Sequence, residues 1–262
     1  KALWNLLAES NLTTLSVGWM ATWPAEDVPG SAIVAPIELL GDRRQTTIKG
    51  SLWRDARGQV TPTSLEARVK GKIVEPTDLR LEDLLKFADI PPNESPLYAL
   101  PHLRRYTYAL AWSLARARSV EAITTDLAKT VEPDLVLSYF QCTDSLLHRF
   151  WIFQMGPERI RRRLAGHKFP SAHAEELYRR FGGVGEACYR DVDERLGRIL
   201  EQVADENTLV LVISDHGFGD APQPHRMRDE PYSGNHLDDG IIIAAGPGIA
   251  PGSTVAGVSV LD

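Results

Sequence analysis

Apolar and polar positions alternate in blocks along the chain. Lys1–Glu9 carries helical spacing, and Leu15-Ser16-Val17-Gly18-Trp19 after it reads as a strand. Asp134–Phe140, Thr208–Ile213 and Gly240–Ala245 are short, nearly continuous apolar runs, the pattern of strands buried on both faces of a parallel sheet. Long helical stretches separate them. Pro101–Lys129 interleaves apolar and basic residues, and Ala172–Val203 is periodic with a predicted break at Gly182-Gly183. Helices alternating with buried strands predict an α/β fold: a three-layer α/β/α sandwich with a mostly parallel sheet and right-handed crossovers.

The segment from about Glu38 to Leu100 breaks this rhythm. It is polar, punctuated by Gly, Pro and Thr, with short alternating pieces such as Ser64–Val69. It reads as an insertion at 38–100, a cap or lid on the ligand edge of the sheet, since loops over a sheet edge often carry specificity. An irregular surface excursion is the competing reading. The core would then comprise 1–37 and 101–262. The chain holds no internal repeat and no low-complexity tract.

Composition narrows the function classes. The 262 residues include 29 Lys and Arg against 35 Asp and Glu, a formal charge of −6. That balance supplies no broad basic surface for a nucleic-acid polymer. With 43% hydrophobic and 24% charged residues, the chain has the make-up of a globular protein. No apolar run approaches the roughly 20 residues that span a bilayer, so no membrane segment is expected in this chain. Two cysteines, Cys142 and Cys188, do not make a disulfide framework and read as reduced, partly buried thiols.

The candidate chemistry falls just after predicted strands, where open α/β sheets bind ligands. Asp144 and His148 follow the Asp134–Phe140 strand four residues apart, so both face one way if the chain turns into a helix. They offer a divalent ion one hard oxygen and one nitrogen, though the same spacing also suits a solvated helix pair. Asp215-His216 follows Thr208–Ile213, with Gly217 and Gly219 allowing the backbone to turn sharply. A capped polar turn is the plainer reading of that pair. His236 precedes Gly240–Ala245, and His225 competes with it in the same loop. Arg226 lies in that loop and is a candidate contact for a phosphoryl oxygen. Arg159–Arg163 carries four arginines, a phosphate-facing patch or a solvated helix face. Taken together, two Asp-His sets and a further histidine suit two divalent ions about 4 Å apart.

These residues resemble the alkaline phosphatase superfamily, in particular its type I phosphodiesterase / nucleotide pyrophosphatase branch. The resemblance rests on Tyr139-Phe140-Gln141-Cys142-Thr143-Asp144 with His148, on Ser214-Asp215-His216-Gly217-Phe218, and on His236 followed by Gly240–Gly248. It implies that Asp144, His148 and His236 hold one ion, and that Asp215 and His216 hold the second. The family's remaining ligand, an Asp at the end of the first strand, and its Thr or Ser nucleophile have no matching position here. Lys1–Glu9 looks like the body of the nucleophile helix, so both are expected upstream of Lys1. This segment then reads as a fragment open at both ends and inactive alone. Leu147 stands where the branch often has Gly, and Arg149-Phe150-Trp151 after it is bulky. Thr22, beside Pro24, is better read as a turn residue than as a nucleophile.

The resemblance implies metal-dependent hydrolysis of a small phosphate ester, a phosphodiester or pyrophosphate, through a covalent phospho-enzyme. Two divalent ions are implied, zinc first and manganese as the other metal that accepts mixed Asp and His ligation. Two alternatives stand beside it. One is a phosphomonoesterase or phosphoglycerate-mutase-like phosphotransferase. The other is a non-catalytic, metal-stabilised binding module.

Overall fold

The computed structural model describes residues 1–36, 57–91, 104–165, 173–220, 226–227, 230–231, 234–255 and 257–259. In chain order the elements begin with α1 (Leu3–Glu9), β1 (Thr14–Val17), β2 (Ala32–Val34) and β3 (Val60–Thr61). The short helices α2 (Glu66–Lys70) and α3 (Leu81–Leu85) lead to the long α4 (Arg104–Val131), then β4 (Leu135–Ser138). Four helices follow: α5 (Cys142–Phe150), α6 (Pro157–Leu164), α7 (Ala174–Phe181) and α8 (Val184–Val203). The last part is β-rich: β5 (Val210–Ser214), β6 (Gly217–Asp220), β7 (Arg226–Met227), β8 (Glu230–Pro231), β9 (Gly234–Leu237) and β10 (Ile241–Ala245).

The principal sheet has the order β3-β2-β1-β4. β1 pairs in parallel with β2 and β4, and β3 adds an antiparallel edge. All four residues of β1 are buried, so this strand is covered on both faces, whereas the four residues of β4, expected from the Asp134–Phe140 run to be buried on both faces, are only half-buried. α4 packs along β1 and β4, where the Thr124 hydroxyl meets that of Ser138 at 2.9 Å. Such a pairing satisfies two polar groups that would otherwise be stranded in an apolar layer. α5 and α8 pack on α4 and on each other. Tyr106, Phe150, Phe153 and Phe181 form an aromatic cluster with edge-on and tilted ring contacts between 5.0 and 5.9 Å.

α4 is tied to α8 by charge as well as packing. Arg195 on α8, only 4% exposed, donates to Asp191 and also to Glu121 on α4; Glu121 further accepts from Arg198. Gly182-Gly183 separates α7 from α8, as predicted, because the turn leaves no room at Gly182. A Cβ there would come within 2.6 Å of the Tyr178 carbonyl.

Two expectations need correction. Ser64–Val69, whose alternation suits extended chain, is helical: a 3-10 turn at Thr63–Leu65 runs into α2. Pro62 starts that turn, and buried Val69 fixes its inner face. Thr208–Ile213 and Gly240–Ala245 do form strands, but not in the parallel sheet. β5 and β10 pair antiparallel as a separate ribbon, with Leu211 55%, Ile213 57% and Ile241 57% exposed. An apolar run states that a strand favours burial, and says nothing of which neighbour pairs with it.

The predicted 38–100 insertion is described only over 57–91. There it extends the sheet through β3 and packs along α4. The Val74 amide donates to Ser119, Arg118 donates to Asp83 at 2.5 Å, and Asp126 takes Arg68 and Lys72. Residues 38–56 and 92–100 lie outside the described residues. Among the described residues no helix is long and apolar enough to cross a membrane.

Candidate metal centre

β4 ends at the sheet edge, and the chain turns through Tyr139–Gln141 into α5. Asp144 therefore lies in the first turn of α5, with His148 one turn later on the same face. His148 donates from Nδ1 to the Gly234 carbonyl at 3.1 Å. That bond fixes the tautomer and leaves Nε2 facing the Asp144 carboxylate at 3.2 Å.

The other histidines come from one long hairpin. β6 pairs with β9, and β5 pairs with β10. Between the ladders, residues 215–216 on one strand face 238–240 on the other, because Ser214 pairs with Ile241 and Gly217 with Leu237. This is a bulge, and bulges re-aim side chains. Gly240 makes it feasible: a Cβ there would sit 2.0 Å from the Ser214 carbonyl oxygen. His216 turns inward, its Nδ1 meeting the Gly217 carbonyl at 2.9 Å. Asp215 turns outward, its side chain 79% exposed, with Oδ1 3.7 Å from His216 Nε2.

His236, on β9 opposite Phe218, closes the cluster. Its Nε2 lies 2.9 Å from Asp144 Oδ1 and 3.0 Å from His148 Nε2. The His216 and His236 rings stack at 3.5 Å between centroids, and His216 Nε2 is 3.8 Å from Asp144 Oδ1. One carboxylate oxygen thus faces three imidazole nitrogens. Ligand atoms of Asp144, His216 and His236 all fall within 4.8 Å of one another.

The donor set fits a divalent ion. Bonds of about 2.0–2.1 Å to a tetrahedral zinc place neighbouring ligand atoms roughly 3.3 Å apart, close to the spacings here. Backbone carbonyls occupy the Nδ1 atoms of His148 and His216, the second-shell arrangement that points Nε2 at a metal. Burial works to raise the Asp144 carboxyl, but hydrogen bonds from His148 and His236, with their charge, outweigh it and hold the carboxyl below its usual range. Arg116 on α4 is a buried cation in electrostatic contact with Asp144; burial pulls its guanidinium down to about 9, so it stays protonated at neutral pH. Tyr139 is raised, first by burial and then by the charges of Asp144 and Asp215.

The structure therefore brings Asp144, His148, His216 and His236 together at one point, with Asp215 on the rim. The side chain of Arg226 and all of His225 lie outside the described residues. Thr22 is buried and donates its hydroxyl to the Trp19 carbonyl at 2.7 Å, a turn contact as expected. The Arg159–Arg163 run is divided. Arg159 and Arg163 grip the two oxygens of Asp220 at 2.6 and 2.5 Å, and Arg161 pairs with Glu175.

Several contributors carried little sequence signal. Phe218 packs its ring against His148 and His236, at 4.9 and 5.6 Å. Gly234 lies so close to Phe218 and to the Leu147 carbonyl that a Cβ would meet them at 2.3 and 2.8 Å. The glycine before Asn235-His236 was the available clue. Leu147 packs on α8 at Gly185, where an added Cβ would come within 3.2 Å of its Cδ2 methyl.

The chain matches the type I phosphodiesterase / nucleotide pyrophosphatase family over residues 1–251. No curated protein and no solved structure matches it. The match runs through β4 and α5, the bulge at Asp215-His216 and the strand bearing His236, so the motifs that converge in space are also the motifs in the matched region. The chain belongs to the type I phosphodiesterase / nucleotide pyrophosphatase family, within the alkaline phosphatase superfamily.

Proposed function

We propose that the protein hydrolyses a small phosphodiester or pyrophosphate at a binuclear metal centre built on Asp144, His148, Asp215, His216 and His236. Family membership makes it a phosphodiesterase or pyrophosphatase; the residue roles and the two-ion count are the proposal. The observation that carries it is the convergence of three imidazoles on the Asp144 carboxylate from two separate segments. In this reading Asp144, His148 and His236 take one ion, and Asp215 with His216 take the other. Zinc suits the imidazole-rich set, and manganese accepts the same mixture.

The ions would supply Lewis acidity to the phosphoryl oxygens and to the attacking and leaving groups. The chain's own residues do the rest. Gly234 and Gly217 hold the His148 and His216 rings in the ligating tautomer. The buried Arg116 guanidinium adds positive charge that favours the ionised Asp144. Arg226 is proposed to contact a phosphoryl oxygen, and the 38–100 insertion to cap the substrate. The nucleophile is proposed to be a Thr or Ser that carries the covalent phospho-enzyme.

The test is elemental analysis of the full-length protein with paired assays on an aryl phosphodiester and an aryl phosphomonoester. About two transition-metal ions per chain with diester preference is the expected result. Preference for the monoester would move the protein to the phosphomonoesterase reading. Absence of metal after reconstitution with zinc or manganese would leave a binding module.

A further inference from the structure

Two large apolar side chains stand in the open at the sheet edge that carries the metal centre: Met20 is 52% exposed and Trp23 45%. Both lie in the turn that follows β1. β1 and β4 are parallel neighbours, with Val17 beside Ser138, so this turn leaves the sheet at the same carboxyl edge as the turn into α5 that leads to Asp144. That edge is where open α/β sheets receive ligands. The Tyr139 amide donates to the Val17 carbonyl at 3.1 Å, and the Trp19 ring meets the Tyr139 ring edge-on at 6.3 Å. Trp19 therefore joins the turn after β1 to the residue that opens the path to Asp144 and His148.

The turn is held in shape at both ends. The buried Thr22 donates its hydroxyl to the Trp19 carbonyl at 2.7 Å, and Ala21 between them takes φ 62°, a left-handed conformation unfavourable for a residue with a Cβ. The inserted segment braces the other end. The Ala25 amide donates to the Gly58 carbonyl at 2.7 Å, and the Thr61 hydroxyl donates to the Ala25 carbonyl at 3.1 Å. Pro24 packs so close to Gly58 that a Cβ there would come within 2.8 Å of it. A turn fixed in this way keeps Met20 and Trp23 outside the core. Apolar surface left in water gains free energy when an apolar group covers it, and a surface already in place loses little entropy on binding.

We propose that Met20 and Trp23 form a specificity rim that receives the organic group of the substrate, and that this group carries an apolar ring. The proposal rests on the phosphoester-hydrolase reading, in which the metal centre takes the phosphoryl group. Trp23 offers a flat face on which a ring stacks, and Met20 offers an unbranched, polarizable side chain that adapts to the ring's outline. Every phosphoester presents the same phosphoryl head, so contact with the remote group supplies the discrimination between substrates.

The experiment measures the binding of phenylphosphonate and methylphosphonate to the full-length, metal-loaded protein by calorimetric titration. Both carry the same anionic head, and only the first carries a ring. The unaltered protein is expected to bind phenylphosphonate about tenfold more tightly. The double variant Met20→Ala with Trp23→Ala should lose that preference while keeping its metal content and melting transition, since both side chains stand half in solvent. Trp23→Phe, which retains a ring, should keep most of it. Equal affinities in the unaltered protein, or a preference that survives in the double variant, overturn the rim and leave the metal centre standing. A protein that binds neither phosphonate refutes the metal-centre reading and the rim with it.

Discussion

The α4 layer and the β5–β10 hairpin contribute to one site, yet they are built very differently. Around α4 the chain buries β1 completely, seals polar groups in pairs such as Thr124 with Ser138, and locks α8 with the Arg195 network. The hairpin keeps Leu211, Ile213 and Ile241 more than half exposed. It meets the helical layer near the site through a few contacts: Phe218 against His148, Gly234 against Leu147, and Asp220 in the grip of Arg159 and Arg163. Asp144 and His148 thus stand on a well-supported helix, whereas His216 and His236 stand on a lightly held arm. Local stability follows the density of buried contacts, so the hairpin is the half of the site with the lower opening free energy. A cation shared between the halves would tie them together.

The largest expected effect comes from removing the cluster itself. His236→Ala or Asp215→Ala in the full-length protein should lower turnover by about a thousandfold or more, since each deletes a ligand in the proposed centre. Metal analysis and diester turnover measure it together, and near-normal turnover in either variant would remove that residue from the site. Melting of the metal-free protein should barely change, because neither side chain supports the α4 layer.

The second effect reverses that pattern. Arg195→Ala should destabilise the fold by about 3–5 kcal/mol, because it leaves Asp191 without its partner in a buried setting. Arg195→Met should cost less, since it fills the volume, though it too leaves the carboxylates. Urea unfolding with and without metal would separate the two regions: a loss that persists without metal belongs to the α4 layer.

A smaller effect is expected at Asp83, where the Arg118 hydrogen bond holds the carboxyl below its usual value and Arg80 reinforces it. A carboxyl lowered on folding contributes stability that is full above its unfolded pKa of about 3.9 and fades as pH falls through the folded value. Asp83→Asn should therefore cost about 2 kcal/mol at neutral pH and flatten the acid limb of the stability curve. An unchanged acid limb would contradict this.

The smallest effect on stability is expected where the hairpin is held. Asp220→Ala removes two partly exposed ion pairs, worth under about 1 kcal/mol. Yet Asp220 pairs with Gly234 at the start of the strand that bears His236, so metal affinity should fall by about tenfold. A metal titration that matches the unaltered protein would show that the arm holds its histidines without the clamp.

Much of this was legible from residues alone. The strand ending before Asp144, the turn at Asp215-His216 and the break at Gly182-Gly183 follow from periodicity and glycine placement, which act locally. The resemblance grouped Asp144, His148 and His236 and set His216 apart with Asp215; in the structure His216 stacks on His236 beside Asp144, while Asp215 faces outward. Among the features that were not legible are a short helix and an ion-pair clamp. Ser64–Val69 alternates over too few residues to separate a strand from a helical turn, and its helical form follows from Pro62 before it and buried Val69 within it. The Arg159–Arg163 run carried no mark of its partner, because Asp220 lies 57 residues beyond Arg163.

The sequence by itself determined the alternation of helices and strands, the placement of Asp and His after strand ends, and the membership of a phosphoester-hydrolysing family. Each is a local property, set by side-chain period, backbone freedom or motif. Tertiary structure alone decided that β5 pairs with β10 rather than entering the parallel sheet. It also decided that a bulge turns His216 inward and Asp215 outward. Those outcomes depend on contacts between residues far apart in the chain, where hydrogen-bond register and close packing select among partners that local pattern leaves equivalent.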